Sequence, residues 1–393
     1  MVKQINDRLW SWASSLDDGT LRQAETLSRL PIIESHVALM PDAHLGIGAT
    51  VGSVISTRNA IIPSAVGVDI GCGMAATQTS LSASDLPEDL NPFLNILGAK
   101  VPAGVGNSHK HAGDPALEFM AKNPTPQQLE TKQTQTALTQ FGTLGSGNHF
   151  VEVCLDENEQ VWLVLHSGSR GIGNQLAQHH ITKAKQLAEH LEERLEDPNL
   201  AYFMENTPEF QAYIADMLWA QRYALGNRET MLGTITTEFY NFVGAGNTVE
   251  IINCHHNFAQ QELFPFNNNP SDMRPVWITR KGAIKAAVGD RGIIPGSMGT
   301  NSYIVEGLGN PLSWNSCSHG AGRKMSRTKA KRTFSTEDLA NEMRGKVWLE
   351  TKAEKLVDEI PSSYKNIEQV MADQTDLVRK THTLNQVLNY KGT

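Results

Sequence analysis

The chain has 393 residues, 40% of them apolar, with 7 Trp, 7 Tyr and 12 Phe, enough to bury a sizeable core. No apolar run approaches the roughly 18 residues of a membrane span, and the N-terminal Met-Val-Lys-Gln-Ile-Asn-Asp lacks the apolar centre of a signal peptide, so a cytoplasmic protein with no membrane partner is expected. The net charge of −8 argues mildly against a nucleic-acid footprint over the whole surface, and Cys72, Cys154, Cys254 and Cys317 are too dispersed for a disulfide framework, which leaves thiols free for metal.

Apolar spacing through Leu9, Trp10, Ala13, Leu16, Leu21, Ala24 and Leu27 predicts a polar, helical cover over residues 1–36. From Val37 to about Thr79 the texture changes to short β-prone runs punctuated by Gly46, Gly48, Gly52, Pro63 and Gly67. Two polar groups interrupt it. Asp42 and His44 follow Pro41, and Asp69 and Cys72 sit in Val-Gly-Val-Asp-Ile-Gly-Cys-Gly. A carboxylate beside a thiolate suits Mn, Zn or Fe better than Mg or Ca, although a turn-capping Asp and a small buried Cys explain the pair about as well.

Helices are expected from Leu86 and again up to Phe141, with His109 and His111 in an exposed loop between them. The Gly-rich turn at 142–147 then runs into a strand whose alternation puts Asn148, Phe150 and Glu152 on one face and His149 on the other. A second strand, 161–166, ends in His166, followed by Arg170 in a flexible loop and a helix N-terminus. Its glycine spacing is not that of a dinucleotide fold. Residues 174–241 read as mainly helical, with His179, His180 and His190 on the surface and Asn227 and Arg228 at a helix end within reach of a phosphate. The strand at 249–257 puts Cys254 and His256 on one face. The turn-rich 292–303 segment carries Ser297, Thr300 and Ser302 but lacks a P-loop ending.

In Ser-Cys-Ser-His-Gly-Ala-Gly-Arg, His319 is followed by residues too small to screen its ring and then by Arg323, a planar donor for phosphate; a turn that merely holds a histidine is the plainer alternative. From Arg323 to Arg332 there are six Lys or Arg and no acid. A long helical segment is expected to about Ile360, then a last helix and a C-terminal strand ending at Tyr390 and Lys391. Without internal repeats or long linkers, the reading is α+β: one composite domain over 1–393, with sheet layers around a metal and nucleotide pocket and peripheral helices. Asp69, Cys72, His149, His166 and His256, all beside glycine turns, could hold one metal or two, and a metal pair favours displacement at phosphorus.

The ordered motifs Pro41-Asp-Ala-His44, Gly67-Val-Asp-Ile-Gly-Cys-Gly73, Gly145-Ser-Gly-Asn-His-Phe150, His166-Ser-Gly-Ser-Arg170, Cys254-His-His-Asn257, Pro295-Gly-Ser-Met-Gly299 and Ser318-His-Gly-Ala-Gly-Arg323 resemble the RtcB family of RNA-splicing ligases from about residue 30 to the final Lys-Gly. The resemblance implies an enzyme of RNA repair or tRNA splicing that uses GTP and two Mn²⁺ ions to join an RNA 3′-phosphate or 2′,3′-cyclic phosphate to a 5′-hydroxyl. It implies His319 as the residue that takes GMP, Asp42 as its helper, and Arg170 and Arg323 facing RNA or phosphates. Asp69, Cys72 and His149 would hold one ion and Cys72, His166 and His256 the other. Asn148, Phe150, Glu152, Ser297, Ser302, Gly320, Ala321, Gly322, Tyr364 and Lys391 would enclose GMP, with Glu152 and Lys391 at the guanine edge and Tyr364 stacked on it. Tyr390, where the family has an aliphatic residue, and the extra Thr393 put the fit around guanine in question. A monomer is expected, with room for an activating protein partner.

The same metals with water as nucleophile would make an RNA phosphoesterase, in which His319 is never modified. A non-catalytic RNA- or metal-binding protein leaves His319 unexplained.

Overall fold

Val161 to Leu165 are all apolar and fully buried, so the strand they occupy must be covered on both faces. In the computed structural model, which describes residues 2–125, 129–266 and 269–393, that strand, Gln160–Ser167, lies within a sheet of eight strands. Its alternate side chains divide between two cores. Trp162 and Val164 pack with Met74, Phe150, Ile252, Ile293 and Leu384, whereas Val161, Leu163 and Leu165 pack with Val151, Met231, Ile235 and Phe239. Each such side chain contributes about 2 kcal/mol relative to exposure.

The strand order in this sheet is Thr248–His255, Gly73–Ser82, Gln160–Ser167, Phe150–Leu155, Val378–Lys391, Ser302–Gly307 and Arg291–Ile294, with Val347–Trp348 paired parallel to Val378–Lys391. The two end strands approach one another, with Ile293 and Cys254 in the same core, so the sheet is nearly closed. Its outer face is covered by the helix Pro208–Val243. Thr207 caps that helix by accepting from the Phe210 amide, Pro208 starts it, and Gly244, at φ 87°, stops it.

A second sheet of six strands runs in the order Lys3–Asn6, Leu9–Ser11, Ile33–His44, Val51–Thr57, Asn269–Lys281 and Asn257–Phe266. A short pair, Ala283–Lys285 with Ser316–Ser318, bridges the sheets: the Ala283 amide donates to the His256 carbonyl, and Ala283 pairs with Ser318. This joint sets the residue after Ser318, His319, against the end of the larger sheet.

Several expectations need correction. The described residues up to 36 hold two complete strands, the start of a third at Ile33 and one helix, Asp18–Ser28; Leu9 is a buried strand residue, its apolar spacing serving the sheet. The stretch to Ile360 is not one long helix. It breaks into Arg327–Thr333, Thr336–Glu342 and shorter turns, with Ser326 and Ser335 starting new caps. The antiparallel strands Asn257–Phe266 and Asn269–Lys281 extend well beyond the strand residues expected up to Phe258 and from Val276, because Pro265, Pro270 and Pro275 interrupt the strand pattern between them. The helical reading of 174–241 corresponds to helices Arg170–His190 and Pro208–Val243.

Candidate active site

Strand register gathers the polar motifs at one rim of the larger sheet. His255 pairs with Gly73, Gly73 with Ser167, Met74 with His166, His166 with Phe150, and Phe150 with Lys391. Residues at these strand ends or one step beyond, Cys72, His149, His166, His256 and Lys391, therefore meet despite their separation in sequence.

Cys72 Sγ lies 3.4 Å from His149 Nε2 and 3.3 Å from His166 Nε2. His166 Nε2 is 3.2 Å from His256 Nε2, and His149 Nε2 is 3.0 Å from Asp69 Oδ2. Asp69, Cys72 and His149 form one group with donor atoms within 4.8 Å of one another, and Cys72, His166 and His256 form another, so the thiol belongs to both. Burial lowers the His166 and His256 imidazoles far below their ordinary values, aided by neighbouring rings, which keeps them neutral and able to donate lone pairs. Burial and then the Asp69 charge raise the Cys72 thiol. Burial alone would raise Asp69, but the His149 hydrogen bond and the charges of His149 and Arg170 hold it low. The Asn148 carbonyl lies 3.1 Å from His166 Nδ1, leaving Nε2 toward the cluster. Oxygen, nitrogen and sulfur donors at these spacings fit a first-row divalent ion.

His319 Nδ1 is 2.6 Å from Asp42 Oδ2, with the carboxylate fully buried. The two atoms touch but lie out of line for a hydrogen bond, so Asp42 has no aligned donor. The His319 ring stands edge-on to His256, with centroids 4.9 Å apart. Gly322 has φ 71°, and a Cβ there would strike the Asp42 carbonyl; glycine is required for the 320–322 turn to lie on the Asp42 strand. Lys365 Nζ donates to the Ala43 carbonyl at 2.7 Å and holds that strand from the other side.

A cavity of about 360 Å³ opens in front of these groups. Its wall includes Asp69, Asn148, Phe150, Glu152, His166, His256, Ser297, His319, Gly320, Ala321, Gly322, Arg323, Tyr364 and Lys391. Glu152 is buried, which raises its carboxyl to about 8 against the opposing charge of Lys391 and the hydrogen bond from Asn389. Lys391 Nζ lies 2.7 Å from Glu359 and 5.3 Å from the Phe150 ring centroid. Glu359 also accepts from the Tyr364 hydroxyl at 2.8 Å and pairs with Arg327. Burial would raise Glu359, but Lys391 and Arg327 hold it low. Sequence reasoning missed this carboxylate; His44, noted beside Asp42 but given no role of its own, lies on the cavity wall with Lys281.

Other candidates lie elsewhere than the sequence suggested. Arg170 is no flexible-loop residue: it opens the helix Arg170–His190 at φ 59°, with its guanidinium against Gly145 and 3.5 Å from His149 Nδ1. Ser302 is fully buried and set back from the cavity wall, its hydroxyl unpartnered. Asn227 and Arg228 are not at a helix end near phosphate but fully buried within Pro208–Val243. Arg228 donates to the Gly71 and Ser167 carbonyls at 2.7 and 3.1 Å and to Asn253 Oδ1 at 2.8 Å, bracing the strand ends that carry Cys72 and His166. His180 is not a surface residue; it is buried and pairs with Asp216 at 2.8 Å, joining the two long helices. A further group with metal-like spacing, Asp156, Glu157 and His382, lies past the opposite end of the Phe150–Leu155 strand, where amides and the Trp162 indole occupy Asp156.

A mixed α/β scaffold with a nearly closed sheet, a buried donor cluster, and a histidine that faces a cavity with a buried carboxylate behind it define an enzyme. The family model for tRNA-splicing ligase RtcB matches residues 23–123 and 117–392. The chain is 44% identical over 405 residues to RNA-splicing ligase RtcB1 of Escherichia coli, covering 98% of this chain and 97% of that one. It is 43% identical, with the same coverage, to RNA-splicing ligase RtcB of Escherichia coli strain K12, and 31% identical to tRNA-splicing ligase RtcB of Aeropyrum pernix, covering 90% and 87%. The chain belongs to the RtcB family of RNA-splicing ligases.

Proposed function

We propose that this chain is a GTP- and Mn²⁺-dependent RNA ligase of RNA repair or tRNA splicing, joining a 3′-phosphate or 2′,3′-cyclic phosphate end to a 5′-hydroxyl through a histidine–GMP intermediate. The observation that carries the reading is the His319–Asp42 contact, placed between a cluster of metal donors and a cavity of nucleotide size.

With Nδ1 turned to Asp42, His319 keeps Nε2 for attack on the GTP α-phosphorus. The nitrogen–phosphorus bond forms as the bond to the leaving pyrophosphate breaks. Asp42 orients the ring and offsets its growing positive charge. Backbone at Gly320 to Gly322 lies by the phosphate, Phe150 and Tyr364 flank the base, and Glu152 and Lys391 read its edge. GMP then passes from His319 to the RNA 3′-phosphate, and the 5′-hydroxyl displaces GMP to form the phosphodiester. Asp69, Cys72 and His149 would hold one Mn²⁺ and Cys72, His166 and His256 the other; such ions offset charge on phosphate oxygens. Arg170 and Arg323 face the phosphates or the RNA.

The test is an RNA-joining assay using purified protein, GTP, Mn²⁺ and RNA ends of the stated chemistry. Joining that needs GTP and a 3′-phosphate supports the reading. Joining of 3′-hydroxyl and 5′-phosphate ends would contradict it.

A further inference from the structure

Arg323 and Arg327 line the cavity, and their inner partners are Asp358 and Glu359, both buried. Next to them in the chain, Lys324, Lys329 and Arg332 are exposed, and among the described residues none of the three forms an ion pair. Lys331, on the same helix, reaches Asp358 at only 3.5 Å and is half exposed. The helix Arg327–Thr333 turns fully buried Ala330 inward, Arg327 and Lys331 toward Asp358, and Lys329 and Arg332 to solvent. The next acids in sequence, Glu337 and Asp338, belong to the following helix, where Asp338 closes a capping box with Ser335. In a chain of net charge −8, a run of six cations without an acid is a local reversal, and it begins four residues after His319.

We infer that Lys324, Lys329 and Arg332, with Lys331 beside them, bind the phosphates of the RNA strand leading to His319. The inference rests on the ligase reading above and adds the path of the substrate. Exposed, flexible cations beyond the reacting end suit backbone phosphates rather than bases. The contacts are therefore independent of sequence and sensitive to salt.

The experiment measures binding of a short single-stranded RNA, with 5′-hydroxyl and 3′-phosphate ends and no GTP, by fluorescence anisotropy across a range of KCl. A variant carrying Lys324→Ala, Lys329→Ala and Arg332→Ala is compared with wild type and with a charge-matched control, Arg22→Ala, Lys183→Ala and Lys380→Ala, whose positions are exposed elsewhere. Loss of three phosphate contacts is expected to weaken binding about tenfold or more at 0.1 M salt and to make the slope of log affinity against log salt shallower by about 2. An unchanged slope, or equal weakening in the control, would overturn the inference. Single variants, each expected to change the slope by about 0.7, guard against a folding defect in the triple variant. GMP attachment by wild-type protein is measured separately. Its absence would count against the nucleotide chemistry but leave the RNA slopes readable.

Discussion

The 2.6 Å contact between His319 Nδ1 and Asp42 Oδ2 joins a turn after the small bridging sheet to a strand of the six-stranded sheet. Asp42 has no aligned hydrogen-bond donor, so its buried charge is directed at the imidazole. Asp42→Asn keeps the shape and removes that charge. GMP attachment should slow by about two orders of magnitude while the metal content stays the same. Timed formation of the GMP adduct, beside metal analysis, checks this; a rate within threefold of wild type counts against a role for the charge.

Cys72 is the donor common to both groups. Cys72→Ala should therefore impair binding of both ions, whereas His256→Ala should impair one. Equilibrium dialysis with Mn²⁺ distinguishes them, and two normal sites in Cys72→Ala would remove the shared-thiol assignment.

Glu152 ionises near 4.5 when unfolded and about 8 in the folded protein, where burial disfavours its charge. Between those values the folded state holds the extra proton, so stability falls as pH rises through this window. Glu152→Gln removes that dependence. Urea unfolding from about pH 5 to about pH 8 should show the variant gaining stability relative to wild type; a constant difference would mean that Glu152 is not held neutral.

Arg228 donates to the buried Gly71 and Ser167 carbonyls and to the half-buried Asn253 Oδ1. Arg228→Met removes all three bonds and should cost about 3 kcal/mol. Because Gly71 and Ser167 adjoin Cys72 and His166, metal affinity should fall with stability. Urea unfolding and metal titration read the two effects, and destabilisation with unaltered metal affinity would confine Arg228 to the fold.

The strands that build the site were legible where apolar runs are long, as at Val161 to Leu165, because burial on both faces leaves a continuous signal. Polar residues beside glycines marked Asp69, Cys72, His149, His166 and His256 as a set, but no spacing along the chain says that strand register brings them together. Glu359 was illegible. In Val-Asp-Glu-Ile it looks like a solvated helical residue, and only tertiary pairing with Lys391, Tyr364 and Arg327 reveals it. Arg228 misled for the opposite reason: its donors serve buried carbonyls, a role that a helical sequence pattern cannot distinguish from phosphate binding.

The central claim is that His319 carries GMP. Purified protein is incubated with α-labelled GTP and Mn²⁺, resolved under denaturing conditions, and any labelled band is challenged with acid and alkali. The account predicts an acid-labile, alkali-stable adduct that disappears in His319→Ala. An adduct retained by His319→Ala, or none formed by folded, metal-loaded wild-type protein, would contradict it.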